Sequence, residues 1–181
     1  MGACSLMGII DMPISQTAFK LRLKFALAAL YLLPFGSNAF AATTTSTFTT
    51  QVTIAASCTI NSASTLNFGS QGVLIANVDQ TSTLQVQCTN TTPYNIGLNA
   101  GIGTGATVAV RKMTSGANVV NYTLYSDSGR TTVWGNTVGT DTVLATGNGA
   151  SQAYTVYGRI APQTTPAPGT YSDTVTMTVT Y

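Results

Sequence analysis

Apolar and polar residues alternate along much of this chain. Leu84, Val86 and Cys88 fall on one side of an extended segment, with Gln85 and Gln87 on the other. Tyr94, Ile96 and Leu98 repeat the pattern, as do Val120, Tyr122 and Leu124, and then Tyr154, Val156 and Ile160 around Gly158. Successive side chains of an extended chain point to opposite faces, so a period of two predicts half-buried β-strands. No long window carries the helical period. Turn formers separate the runs: Thr92-Pro93, the glycine-rich Gly101 to Gly105, Ser126-Asp127-Ser128-Gly129, and Gly147-Asn148-Gly149. The Gly101–Gly105 stretch reads as a flexible hairpin tip. Short strands punctuated in this way predict an all-β fold, two sheets packed as a sandwich.

Two segments alternate most strongly. From Tyr171 to Tyr181, the odd positions Tyr171, Val175, Met177, Val179 and Tyr181 share one face, and Thr174, Thr176, Thr178 and Thr180 occupy the other. Upstream, residues 42–57 are Thr-rich and uncharged; Phe48, Thr50, Val52, Ile54 and Ala56 alternate with Thr49, Gln51, Thr53 and Ala55. The pattern fits either the first strand of the domain's own sheet or a strand that leaves its domain to complete another subunit.

The first forty-odd residues follow a different rule. Lys20, Arg22 and Lys24 form a positive cluster, an apolar run extends from Phe25 to Phe35 with a break at Pro34, and Ala39-Phe40-Ala41 supplies a small-x-small triplet. These are the three regions of a secretory signal peptide, so residues 1–41 are expected to be removed on export. The run falls short of the roughly 20 apolar residues of a membrane span. Residues 1–19 precede the expected start of such a peptide and read as superfluous, with Met12 an internal start. The remainder, residues 42–181, is about 140 residues long, enough to bury a core between two sheets.

Export changes the charge picture. The whole chain carries a formal charge of +2. Beyond residue 41 the cations are Arg111, Lys112, Arg130 and Arg159, and the acids are Asp79, Asp127, Asp141 and Asp173, which cancel. A neutral domain has no electrostatic footprint for nucleic acid. Cys4 lies in the leader, leaving Cys58 and Cys88, an even pair in an exported chain and hence an expected disulfide. The chain contains no His, and two Cys alone cannot fill a zinc shell, so no metal and no cofactor is expected. Without His, the triads and imidazole acid–base chemistry of hydrolases are also excluded, and no enzyme is expected.

Several motifs in order resemble the spore coat protein U-like domain family, which includes the pilins of archaic chaperone–usher pili. They are Ser57-Cys58-Thr59-Ile60, Leu66-Asn67-Phe68-Gly69, Leu84-Gln85-Val86-Gln87-Cys88, Asn121-Tyr122-Thr123-Leu124-Tyr125-Ser126-Asp127, Tyr157-Gly158-Arg159-Ile160, and the ending from Pro168-Gly169-Thr170-Tyr171 to Tyr181. The resemblance implies an immunoglobulin-like β-sandwich that lacks its last strand and is completed by donor-strand exchange. Residues 42–57 would then be the donor extension and residues 58–181 the pilin domain. Phe48, Thr50, Val52 and Ile54 would enter a neighbour's groove, with Thr50 departing from the all-apolar pattern. Val175, Met177, Val179 and Tyr181 would form the C-terminal strand that a periplasmic chaperone anchors. The implied partners are neighbouring pilin subunits, that chaperone and an outer-membrane usher, with no small-molecule substrate. The implied setting is the periplasm and then the cell surface, where the pilus serves adhesion and biofilm formation.

Other readings stay open at this level: a secreted carbohydrate-binding or tip-adhesin module, or a structural protein of a spore coat. Trp134 could stack on a sugar, although packing in the core or at an edge is the plainer role. The Gly101–Gly105 stretch lacks the Lys-Ser/Thr and the helix of a phosphate loop. Asn90-Thr91-Thr92 and Asn121-Tyr122-Thr123 match the glycosylation sequon, the second within a strand-like run.

Overall fold

The computed structural model describes residues 40–181, so the expected leader lies outside the described residues except for its last two positions. Residues 40–49 carry no helix or strand and are exposed. From residue 50 onward the chain forms a β-sandwich. Its strands are β1 (Cys58–Ala63), β2 (Val78–Cys88), β3 (Pro93–Leu98), β4 (Arg111–Ser115), β5 (Asn118–Tyr125), β6 (Val143–Thr146), β7 (Ser151–Ile160) and β8 (Met177–Thr180). They make a five-stranded sheet in the order β1-β2-β7-β5-β4 and a three-stranded sheet in the order β6-β3-β8. Every pairing is antiparallel.

The alternation read from the sequence sets which faces meet. Leu84, Val86 and Cys88 of β2, Tyr94, Ile96 and Leu98 of β3, Val120, Tyr122 and Leu124 of β5, and Val156 and Ile160 of β7 are all buried in one core. Their polar neighbours face outward, which is how an antiparallel sheet with one wet face distributes its side chains. The β4–β5 hairpin turns through Gly116 and Ala117. Gly116 takes φ 59, the left-handed value that the first central residue of a type II′ turn requires.

Cys58 and Cys88 are joined by a disulfide. They are also direct cross-strand partners, so the bond staples the edge strand β1 onto β2 at its first residue. Closing a loop of about 30 residues constrains the unfolded chain by about 3–4 kcal/mol. Replacing both cysteines by Ala is therefore expected to lower the melting temperature by about 10–15 °C. Thermal unfolding followed by circular dichroism checks this, and a loss under about 1 kcal/mol would refute it.

Three sequence expectations change in the folded chain. Gly101–Gly105 is no hairpin tip. It belongs to the crossover from β3 in one sheet to β4 in the other. The loop is pinned: Ile102 N–H donates to Asp173 Oδ1 at 2.8 Å, and Lys112 Nζ donates to Thr104 O at 3.1 Å. A Cβ at Gly103 would stand 2.6 Å from Lys112 O, so the glycine there serves close approach.

The C-terminal strand is also shorter than its pattern. Only Met177–Thr180 pair with β3. Before that, Ser172 makes a bridge with Thr114 of β4, and the chain then passes between the sheets. Alternation persists through this crossing, with Tyr171, Asp173, Val175, Met177 and Val179 half-buried, because side-chain direction is local while pairing is not. Upstream, residues 42–57 are not the first strand of this domain's own sheets, which was one of the two readings: the first strand begins at Cys58.

Candidate functional site

Between the two sheets lies an open apolar cleft of about 1070 Å³. One wall is the segment from Ala63 to Leu74, and the other is the run from Thr165 to Met177. The floor is the inner face of the five-stranded sheet, including Leu84, Tyr122, Val156 and Ile160. Native interiors are packed to crystal-like density, with voids barely larger than a water molecule. A space of this size is room for several large side chains.

Local chemistry explains why the cleft stays open. β1 pairs with β2 only as far as Ala63, and Ser64 N–H makes one more bond, to Thr83 O at 2.9 Å. The chain then leaves the sheet. Asn67 Oδ1 accepts from Gly69 N–H, and Gly69 turns the backbone at φ 74. Phe68 folds inward and meets Tyr122 edge-on, with ring centroids 6.2 Å apart. Gly158 makes this possible, since a Cβ there would lie 2.8 Å from Leu66 Cδ1 and 3.0 Å from Phe68 Cζ. The two walls touch at one end, where Gln163 N–H donates to Leu74 O and Leu74 N–H donates to Thr165 Oγ1. Elsewhere they stand apart. β8 pairs with β3 along one edge, and among the described residues no strand pairs with its other edge. An unpaired edge beside an apolar cleft is a template for another strand.

One polar contact is set into the lining. Tyr122 Oη donates to Asp173 Oδ2 at 2.7 Å. Burial, reinforced by that carboxylate, pushes the phenol well above its ordinary range, so it stays protonated and keeps donating. Asp173 also accepts from Ile102 N–H, which ties the cleft's wall to the β3–β4 crossover.

The expected site residues divide in the fold. Val175 and Met177 line the cleft. Val179 is half-buried and packs against the core, and Tyr181 is 60% exposed. Phe48, Val52 and Ile54 are 87%, 80% and 77% exposed, and Thr50 between them is exposed too. Trp134 is buried, and its Nε1–H donates to Ile96 O at 2.7 Å, so it packs in the core and offers no face to a sugar. Asn121 lies on β5, in the sheet's interior order, where Gln163 holds its backbone N–H and C=O.

Arg111 was legible only as one cation among four. It is fully buried, and its guanidinium donates to Leu98 O, Asn99 O, Val108 O and Trp134 O at 2.7–2.9 Å. Burial lowers its pKa, offset in part by nearby Tyr122, Asp173 and Asp141. It knits β4, the crossover loop and the end of β3 into one frame behind the cleft. Among the described residues no three His, Cys, Asp or Glu side chains cluster as metal ligands would.

The family model of the Spore Coat Protein U domain matches residues 44–178. This chain belongs to the Spore Coat Protein U domain family. The match includes most of the unpaired upstream segment as well as the sandwich. Among its relatives is Protein U of Myxococcus xanthus, 35% identical over 181 residues that cover 92% of this chain and all of that protein. Among solved structures, the Spore Coat Protein U sandwich is similar to a chain of the CsuC–CsuE chaperone–tip adhesion subunit pre-assembly complex from the archaic chaperone-usher Csu pili of Acinetobacter baumannii. The TM-score is 0.53 at 28% identity over 71% of this chain. This chain spans 40% of the length of that solved chain.

Proposed function

We propose that this protein is a structural pilin-type subunit that polymerises by donor-strand exchange. The observation that carries the reading is the open apolar cleft along the unpaired edge of β8, in a chain whose alternating apolar segment 48–54 carries no strand of its own. Phe48, Val52 and Ile54 of one subunit fill the next subunit's cleft, and the segment's backbone pairs with the β8 edge. Strand addition of this kind draws affinity from main-chain hydrogen bonds and selectivity from side-chain pockets.

Donor and acceptor are different surfaces, so the contact is heterologous and extends into an open fibre. In this reading the leader of residues 1–41 directs export to the periplasm. A chaperone there covers the cleft and holds the C-terminal strand of Val175, Met177, Val179 and Tyr181 before an outer-membrane usher passes the subunit to the surface. The fibre then serves adhesion and biofilm formation. Likeness to a chain of a chaperone–tip adhesion subunit pre-assembly complex supports the chaperone step. A spore-coat role would use the same assembly, and the name of the matching family supports keeping it as the second reading. Neither role is enzymatic.

A peptide spanning residues 44–56 tests the cleft directly. Added to a chain lacking residues 42–54, it is expected to raise the melting temperature by several degrees, since a ligand at a hundred times its Kd stabilises by about 2.7 kcal/mol. The same peptide with Val52→Asp should give no shift, because a carboxylate in an apolar pocket is costly. Equal shifts from both peptides, or none from either, would refute the reading.

A further inference from the structure

The outward face of the five-stranded sheet, opposite the cleft, carries a built surface that strand exchange does not use. Register sets Thr81 beside Tyr157, Tyr157 beside Tyr125, and Tyr125 beside Val133, a row across four neighbouring segments. The adjacent row on the same face places Asp79 beside Arg159 and Arg159 beside Thr123. Tyr125 and Tyr157 are both half-buried, and among the described residues their hydroxyls hydrogen-bond to no protein group. Other half-buried or buried tyrosines of the domain do have partners: Tyr122 with Asp173, Tyr94 with Tyr154, and Tyr171 with Ala167 O.

The charges around this row are held in place. Arg159 Nε and Nη2 donate to the two carboxylate oxygens of Asp79 at 2.7 and 2.8 Å. Arg130 sits over the Tyr157 ring, 5.8 Å from its centroid, and its Nε lies 3.3 Å from Asp79 Oδ1. The hydrogen bond from Arg159 holds the Asp79 carboxyl below its ordinary value. Two guanidinium groups against one carboxylate leave one net positive charge. Lys112, Arg130 and Arg159 are the cations of the exported part that reach the surface, and two of them stand here. Arg159 Nη1 donates to no protein group among the described residues. Arg159 borders a small cavity of about 190 Å³ that Tyr125, Asn121 and Gln163 also line.

These features favour one class of ligand. Flat aromatic faces accept the C–H face of a sugar ring, while phenol hydroxyls and guanidinium N–H groups bond its hydroxyls. The row has one aliphatic side chain, Val133, which is too little for the apolar centre of a protein interface. One net charge is too little for a nucleic-acid backbone. The residual positive charge selects an anionic sugar over a neutral one, and Arg159 Nη1, which Asp79 leaves without a protein partner, can donate to a carboxylate oxygen. We propose that this face binds an acidic polysaccharide, with a uronate ring on Tyr125, beside the Tyr157 ring that Arg130 covers, and its carboxylate at Arg159. The site belongs to the single subunit. If subunits also assemble as proposed above, the face repeats along the fibre and adds avidity.

The test is affinity electrophoresis of the exported full chain, as monomer and as assembled material, in gels containing polygalacturonate, dextran or polyglutamate. Polygalacturonate is expected to retard the monomer, and neither of the other polymers should. Arg159→Gln, and separately the pair Tyr125→Ala with Tyr157→Ala, should each weaken binding about tenfold. Tyr125→Phe keeps the ring and should lose only about two- to threefold, a variant that reads the site even if the double alanine chain folds poorly. A Thr83→Ala chain on the same face is the unaffected control. The proposal is overturned if polygalacturonate does not retard the monomer. It is overturned equally if dextran or polyglutamate retards the monomer as strongly, or if Arg159→Gln binds unchanged. Failure of the intact chain to form fibres, or fibre growth by a chain lacking residues 42–54, with monomer binding intact, would overturn strand exchange and leave this site standing.

Discussion

A chain lacking residues 42–54 is expected to form no fibres while still folding and closing its Cys58–Cys88 disulfide. The deleted segment contributes nothing to the sheets of its own sandwich, since the first strand begins at Cys58. Phe48, Val52 and Ile54 are between 77% and 87% exposed and are therefore uncompensated in the isolated subunit. Full burial of each large apolar side chain contributes about 1.5–3 kcal/mol, and three in one neighbour give about 5–9 kcal/mol before ordering costs. Backbone bonds to the free edge of β8 add register and slow release, so the assembled state should be kinetically persistent. Electron microscopy and denaturant-resistant ladders on gels report the fibre, and far-ultraviolet circular dichroism reports the fold. Fibre growth by the deleted chain at the rate of the intact one would sink donor-strand exchange.

Arg111→Met should cost about 3–6 kcal/mol of folding stability, because four carbonyls, two in buried and two in half-buried contacts, lose a charged donor at once. The methionine fills comparable volume, so the loss measures hydrogen bonding more than packing. Leu98 O, Asn99 O, Val108 O and Trp134 O belong to three separate stretches of chain, and the guanidinium is their shared tie. Against a typical total of about 5–15 kcal/mol, that loss brings the domain close to unfolding at ambient temperature. Arg111→Lys keeps the charge but has a single ammonium, which cannot span four carbonyls, so an intermediate loss is expected. Urea denaturation of the three chains checks the order. An Arg111→Met chain within about 1 kcal/mol of the parent would show that the carbonyls find water instead.

Side-chain alternation placed most of the core correctly from the sequence. Leu84, Val86, Tyr94, Ile96, Val120, Tyr122 and Val156 were read as inward, and they are buried. The cysteine pair, the all-β class and the family motifs were legible for the same reason: each is a property of a few neighbouring residues, or of a count. The contrast at Tyr171–Tyr181 marks the limit. Its alternation held from Tyr171 to Val179 and failed at Tyr181, which is exposed, and only Met177–Thr180 pair as a strand, since Ser172 is held by Thr114 and Asp173 by Tyr122.

What the sequence determined by itself is therefore local: which way each side chain of an extended run points, where most of the turns fall, and that Cys58 and Cys88 pair. The cleft was decided by tertiary structure. It exists because β1 leaves the sheet at Ala63, because Gly158 lets Leu66 and Phe68 lie against β7, and because the path from Thr165 to Met177 crosses between the sheets. The burial of Arg111, the enclosure of Trp134 and the joining of Tyr125 to Tyr157 on one outer row have the same origin. Each depends on strand order and on contacts between residues far apart in the chain, and a period of two specifies a face without specifying which strand will lie beside it.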